Sequence, residues 1–126
     1  MRHTILIVDD DPLILNTLTR RFSDWNITVH TATSPNIAKE IMKKIVPDAI
    51  LLDLLLTEGD GAEDILDFMK TDVRLENVPV LVLTNMEKPE LRQLMLSQGV
   101  KEYLIKGKIS LDEIYKKVLG YLEPEK

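Results

Sequence analysis

Residues 5–12 read ILIVDDDP, four consecutive apolar side chains followed by three carboxylates and a proline. A strand with one solvated face alternates apolar and polar residues. An unbroken apolar run belongs instead to a strand covered on both faces, as in a parallel sheet. The carboxylates raise a second question, because two like charges ~4 Å apart cost roughly 4 kcal/mol even at an effective dielectric of about 20. Something must offset that crowding.

The same unbroken pattern recurs at Ile50-Leu51-Leu52 and at Val80-Leu81-Val82-Leu83, and weaker strand candidates lie at 27–31 and 102–105. Helical patterns fill the intervals. Leu15, Leu18, Phe22 and Trp25 recur at spacings of three and four, which predicts one apolar helix face. Ser34-Pro35 has the form of an N-cap with proline at the first helical position, and Pro47 closes that helix. A third helix is predicted over 61–71 with Ile65, Leu66, Phe68 and Met69 inward. Leu91, Leu94 and Met95 mark a fourth, which Gly99 ends. Ser110-x-x-Glu113 is a capping box for the fifth, whose inner face is Leu111, Ile114, Val118 and Leu122.

The resulting order, βαβαβαβαβα, predicts an α/β three-layer sandwich around a five-stranded parallel sheet with right-handed crossovers. At 126 residues the chain is expected to be one domain, residues 1–126. Its net charge of −5 disfavours direct nucleic-acid binding, which wants a basic face. No apolar stretch approaches the ~20 residues of a membrane span, and the N-terminus does not have the form of a signal peptide. The absence of cysteine excludes disulfides and thiolate metal sites and fits a cytoplasmic protein.

Open parallel sheets bind ligands beyond the carboxyl ends of their strands. The predicted strands end in Asp9-Asp10, Asp53, Thr84 and Lys106, each directly after an apolar run. Clustered carboxylates without His or Cys make a hard oxygen site suited to Mg²⁺, with Mn²⁺ as the alternative. A divalent cation would offset their repulsion. A lysine and a hydroxyl opposite it are what a phosphoryl group needs, and a carboxylate can itself be the nucleophile. Asp53, alone on the middle of the three apolar strands, is the candidate acceptor. Asp11 has a local explanation: before Pro12 it is the N-cap of the first helix.

The stretches ILIVDDD, ILLDLLLTEGDG, VPVLVLTN and EYLIKG, in this order and spacing, resemble the response-regulator receiver domains of two-component signalling over nearly the whole chain. The resemblance implies a flavodoxin-like doubly wound sheet of order 2-1-3-4-5 with five helices. It implies that Asp9 and Asp10 bind Mg²⁺ together with the phosphoacceptor Asp53 and the backbone carbonyl of Leu55. Thr84 would be the switch hydroxyl, Lys106 the phosphate-binding lysine and Tyr103 the switch aromatic. Asp60-Gly61 matches the turn into the third helix. The implied partners are a histidine kinase or histidine phosphotransfer protein and a downstream protein target, with the chain a monomer or a phosphorylation-dependent dimer. Such a domain is not an enzyme in the ordinary sense: it catalyses only its own phosphorylation and slow dephosphorylation.

Two positions depart from the family pattern. Thr57 stands where proline usually follows the acceptor by four, and Gly107 where proline usually follows the lysine, often through a cis peptide. A cis bond before a residue other than proline costs ~2.5–4 kcal/mol, so a trans Lys106–Gly107 bond is expected, with the reach of Lys106 less fixed. Leu55 and Met86 take the positions that, by the resemblance, look over the phosphate in this family. Being apolar, they are expected to shield it from water and slow its loss.

Taken singly, each of these residues has a plainer reading: Asp-Asp a solvated loop, Tyr103 a half-buried strand aromatic, Met69, Met86 and Met95 core filling. His3 and His30 are read as structural or exposed. Among Leu13-Ile14-Leu15, three helix positions span roughly 200°, so one faces away from the core, beside the acidic pocket. Three rivals remain. A Mg²⁺-dependent phosphatase of the haloacid-dehalogenase type wants Asp-x-Asp-x-Thr/Val, and Leu13 fails its last place. A flavodoxin-like cofactor domain would set its phosphate against three aspartates. An unphosphorylated docking module of the same fold would not bind metal. Glu123-Pro124-Glu125-Lys126 follow the last helix closely, and no output domain is expected in this chain.

Overall fold

The computed structural model describes residues 2–54 and 61–122. Five strands, β1 (Thr4–Val8), β2 (Thr28–Ala32), β3 (Ala49–Leu52), β4 (Val80–Thr84) and β5 (Glu102–Ile105), form one parallel sheet in the order β2-β1-β3-β4-β5. Five helices connect and follow them: α1 (Pro12–Ser23), α2 (Pro35–Lys44), α3 (Ala62–Lys70), α4 (Pro89–Ser97) and α5 (Leu111–Leu122). The predicted architecture and strand order hold. The second strand begins one residue later than its pattern suggested.

Both sheet faces are covered, which explains the unbroken apolar runs. Successive side chains in a strand point to opposite faces. Leu6, Val8, Ile50, Leu52, Val80 and Val82 share one core with residues of α2, α3 and α4. Ile5, Ile7, Leu51, Leu81 and Leu83 share the other with α1 and α5. Each such side chain, fully buried, contributes roughly 1.5–3 kcal/mol.

The helix ends behave as their sequences dictate. Asp11 caps α1, its carboxylate accepting from the Leu13 amide at 3.0 Å, and Ser34 caps α2 by accepting from the Ile37 amide. Ser110 and Glu113 exchange hydrogen bonds of 3.0 and 2.8 Å, the capping box of α5. Gly99 sits just past α4 with φ of +99°, where a side chain would be strained.

Three apolar positions do not face where periodicity put them. Trp25 is 64% exposed, because α1 ends at Ser23 and Asn26 turns the chain with φ of +63°. Leu94 and Leu111 are exposed as well, whereas Leu91, partly buried, packs against the core as predicted. Met95 is the buried residue of α4, and Tyr115 joins the inner face of α5.

Candidate functional site

Sheet order decides which strand ends meet. The chain runs from β1 outward to β2 and then returns to the other side of β1 as β3, so β1 and β3 flank the point where the winding reverses. Ligands of doubly wound sheets bind at such points. The pairing Val8↔Leu52 ends the register of these strands, and Asp9 and Asp53 follow it directly. The Asp53 amide donates to the Val8 carbonyl at 2.9 Å, and the Asp9 amide to that of Ala32 at 3.0 Å.

Asp9, Asp10 and Asp53 each offer a carboxylate oxygen within 4.8 Å of the others. Asp9 and Asp53 are buried and Asp10 is partly so. Lys106 crosses from the end of β5, its ammonium 2.8 Å from Asp9 Oδ2 and 3.1 Å from Asp53 Oδ2, with its side chain only 12% exposed. The second Asp9 oxygen accepts from the Asp11 amide at 2.9 Å. Asp11 thus caps the helix as expected, while Asp9 and Asp10 each bring a carboxylate to the cluster with Asp53.

Among the described residues, three carboxylates gather around the Lys106 ammonium. Burial pushes the Asp9 carboxyl above its ordinary value; Lys106 and the Asp11 amide pull against this, and the charge of Asp53 adds to it. Burial disfavours the Lys106 ammonium, but the bond to Asp9 and the charge of Asp53 outweigh it and hold its pKa above the ordinary lysine value. The donors are all hard oxygens, so the site fits the Mg²⁺ that the chemistry calls for.

Thr84 and Tyr103 belong to the opposite sheet face. Thr84 is fully buried, and its hydroxyl accepts from the Met86 amide at 3.2 Å. Tyr103 is buried with the α2–α4 core, and its hydroxyl donates to the Met86 carbonyl at 2.6 Å. Burial also raises the Tyr103 pKa; nearby Arg92 lowers it, and Asp53 raises it further. Sequence reasoning assigned Met86 a side-chain role only. The structure shows that its backbone amide and carbonyl link Thr84 to Tyr103. Backbone groups are the same at every residue, so no sequence signal announced this.

The Lys106–Gly107 bond is trans, as expected, since the described residues contain no cis peptide. Lys106 is nonetheless well anchored: its amide donates to the Thr84 carbonyl at 2.8 Å, and a turn closes behind it. Leu13 is the outward member of its triplet, 72% exposed. With Ile14, Ile109 and Leu111 it lines a groove of about 300 Å³ that reaches Lys106 and Gly107. His3 is partly buried near Asp48, and His30 partly buried on β2. Leu55, Thr57 and Asp60 lie outside the described residues.

A family model for the response regulator receiver domain matches residues 5–119. The response regulator MprA of Mycobacterium ulcerans is 31% identical over 122 residues, covering 97% of this chain and 51% of that protein. A probable cyclic di-GMP phosphodiesterase of Vibrio cholerae is 32% identical over 103 residues, covering 82% of this chain and 23% of its own length. The chain thus spans about half the length of the first of these relatives and about a quarter of the second. Among solved structures, a two-component response regulator from Clostridium difficile superposes with a TM-score of 0.85 at 24% identity, covering 95% of each chain. The N-terminal receiver domain of Klebsiella pneumoniae RstA gives 0.83 at 21% identity, covering 96% of this chain and 99% of that one.

Proposed function

The chain belongs to the response regulator receiver domain family, and on that footing we propose that it is a phosphoacceptor signalling module whose acceptor is Asp53. The observation that carries this is the placement of Asp53 beside Asp9 and Asp10, with the Lys106 ammonium 3.1 Å from it. An Asp53 oxygen attacks phosphorus as the bond to a donor phosphohistidine nitrogen breaks, leaving an aspartyl phosphate. Lys106 then pairs with a phosphoryl oxygen and holds its orientation. Asp9, Asp10, Asp53 and the Leu55 carbonyl are the proposed holders of Mg²⁺, which neutralises phosphoryl oxygens when bound.

Thr84 and Tyr103 are the proposed switch pair. New phosphoryl oxygens at Asp53 draw the Thr84 hydroxyl, which must then leave the Met86 amide. Because Met86 also accepts from Tyr103, that exchange reaches the surface formed by α4, β5 and α5. The groove beside Leu13 and Lys106 suits a histidine kinase or histidine phosphotransfer protein, which must bring its phosphohistidine to this edge of the sheet. Residues 1–126 are read as a single receiver domain acting on a downstream protein or an attached output domain. No helix among the described residues is long and apolar enough to cross a membrane.

The test is intact mass after incubation with Mg²⁺ and a small phosphodonor. One added phosphoryl group is expected, absent without Mg²⁺ and absent from Asp53→Asn. No adduct on the wild type would overturn the reading in favour of an unphosphorylated docking module, and turnover of a generic phosphomonoester would favour a phosphatase.

A further inference from the structure

Lys106 is placed by the turn that follows it. The Lys108 amide donates to the Ile105 carbonyl at 3.0 Å, closing a four-residue turn over 105–108. Gly107 occupies its third position with φ of +86°, the left-handed value that a type II turn requires there. Beyond the turn, Ile109 pairs with Lys106 in an isolated parallel bridge. The Lys106 backbone is therefore held from both sides: by Thr84 on β4, and by a loop that returns to it.

We propose that Gly107 is a positioning residue, whose left-handed backbone aims the Lys106 ammonium between Asp9 and Asp53. Side chains avoid this conformation because their Cβ crowds the backbone. With φ forced negative, the chain would leave Lys106 in another direction. The Lys108–Ile105 hydrogen bond and the Ile109 bridge would open, and Lys106 would stand at a frayed strand end. The position isolates the effect cleanly, since a Cβ built on Gly107 meets nothing within 4 Å. A substitution there is felt through the backbone angle and not through crowding. The inference extends the phosphoacceptor reading, on which its catalytic consequence rests, but the aiming of Lys106 is measurable apart from it.

The experiment compares the wild type with Gly107→Ala and Gly107→Asn, because asparagine enters the left-handed region more readily than alanine. Acetylation of Lys106 by an amine-reactive ester, without Mg²⁺ or phosphodonor, is followed by peptide mass, with exposed Lys43 as the internal control. A paired ammonium on a largely buried side chain reacts slowly. Gly107→Ala is expected to speed acetylation of Lys106 by about tenfold, while Gly107→Asn stays within about threefold of the wild type. Equal rates in all three proteins, or equal acceleration in both variants, would overturn the proposal. Loss of a cooperative melt in either variant would also overturn it, because the effect is assigned to one turn and not to the fold. In parallel tubes with Mg²⁺ and phosphodonor, adduct formation should slow in Gly107→Ala and recover in Gly107→Asn. A wild type that takes no phosphate would sink the phosphoacceptor reading and leave the acetylation rates to decide Gly107 alone.

Discussion

The Tyr103 hydroxyl donates to the Met86 carbonyl at 2.6 Å, which ties the middle of β5 to the segment leaving β4. This single bond joins the buried aromatic to the residue whose amide donates to Thr84. Removing it should loosen that segment while leaving the ring in place. Tyr103→Phe is expected to lower stability by about 1 kcal/mol, the usual net worth of such a bond. Amide hydrogen exchange should quicken over 85–89. Unchanged exchange there would mean that the segment is held by other contacts.

Asp9→Asn should make the protein more stable at neutral pH. The folded state raises the Asp9 pKa above the ordinary 3.8, chiefly by burial. A carboxyl shifted in this direction favours folding when protonated, below the unfolded value, and that contribution is lost as pH rises through the folded value. Ionised Asp9 is thus a burden at pH 7. Thermal melts from acid to neutral pH should show the variant gaining on the wild type as pH rises. Added Mg²⁺ should raise the wild-type melting temperature more than that of the variant. A variant less stable than the wild type at pH 7 would show that the Lys106 pairing outweighs burial.

With Asp53 as the proposed acceptor, the half-buried Met86 side chain predicts slow loss of its phosphoryl group. An apolar side chain there offers an attacking water no hydrogen bond, so Met86→Asn should hasten dephosphorylation by about tenfold. The decay of the mass adduct measures it. A wild-type half-life of seconds, or no difference between the two proteins, would refute the shielding role.

Tyr115 carries a buried hydroxyl with no hydrogen-bond partner among the described residues. Its ring lies 5.2 Å from that of Phe22 and 6.2 Å from that of Trp25, with the Arg21 guanidinium 4.6 Å from its centroid. Phenylalanine keeps every ring contact and removes the desolvated oxygen. Tyr115→Phe should therefore raise the denaturant midpoint with an unchanged slope, a gain in stability of up to about 1 kcal/mol.

Much of this was legible in the chain itself. Unbroken apolar runs marked β1, β3 and β4, because a strand buried on both faces has no polar side to alternate with. Asp11, Ser34 and Ser110 marked helix starts, since a cap is a local bond between a side chain and amides two or three residues on. Trp25, Leu94 and Leu111 misled because apolar spacing describes an endless helix, whereas real helices begin and end: Trp25 lies past the end of α1, Leu94 in the last turn of α4 and Leu111 at the first position of α5.

Residue types and the two-residue strand period were enough to say which side chains could share a face. Carried one residue past each strand, that period sets Asp9, Asp53 and Lys106 on the α1–α5 side, and leaves Thr84 and Tyr103 on the other. Which of these residues touch was decided by the tertiary structure. Asp53 meets Asp9 because β3 returns beside β1, and Lys106 reaches both because Thr84 and the turn at Gly107 hold its backbone. Side-chain periodicity is set within one strand, but the neighbour a strand takes, and the carbonyl a tyrosine finds, depend on how the whole chain buries its two cores.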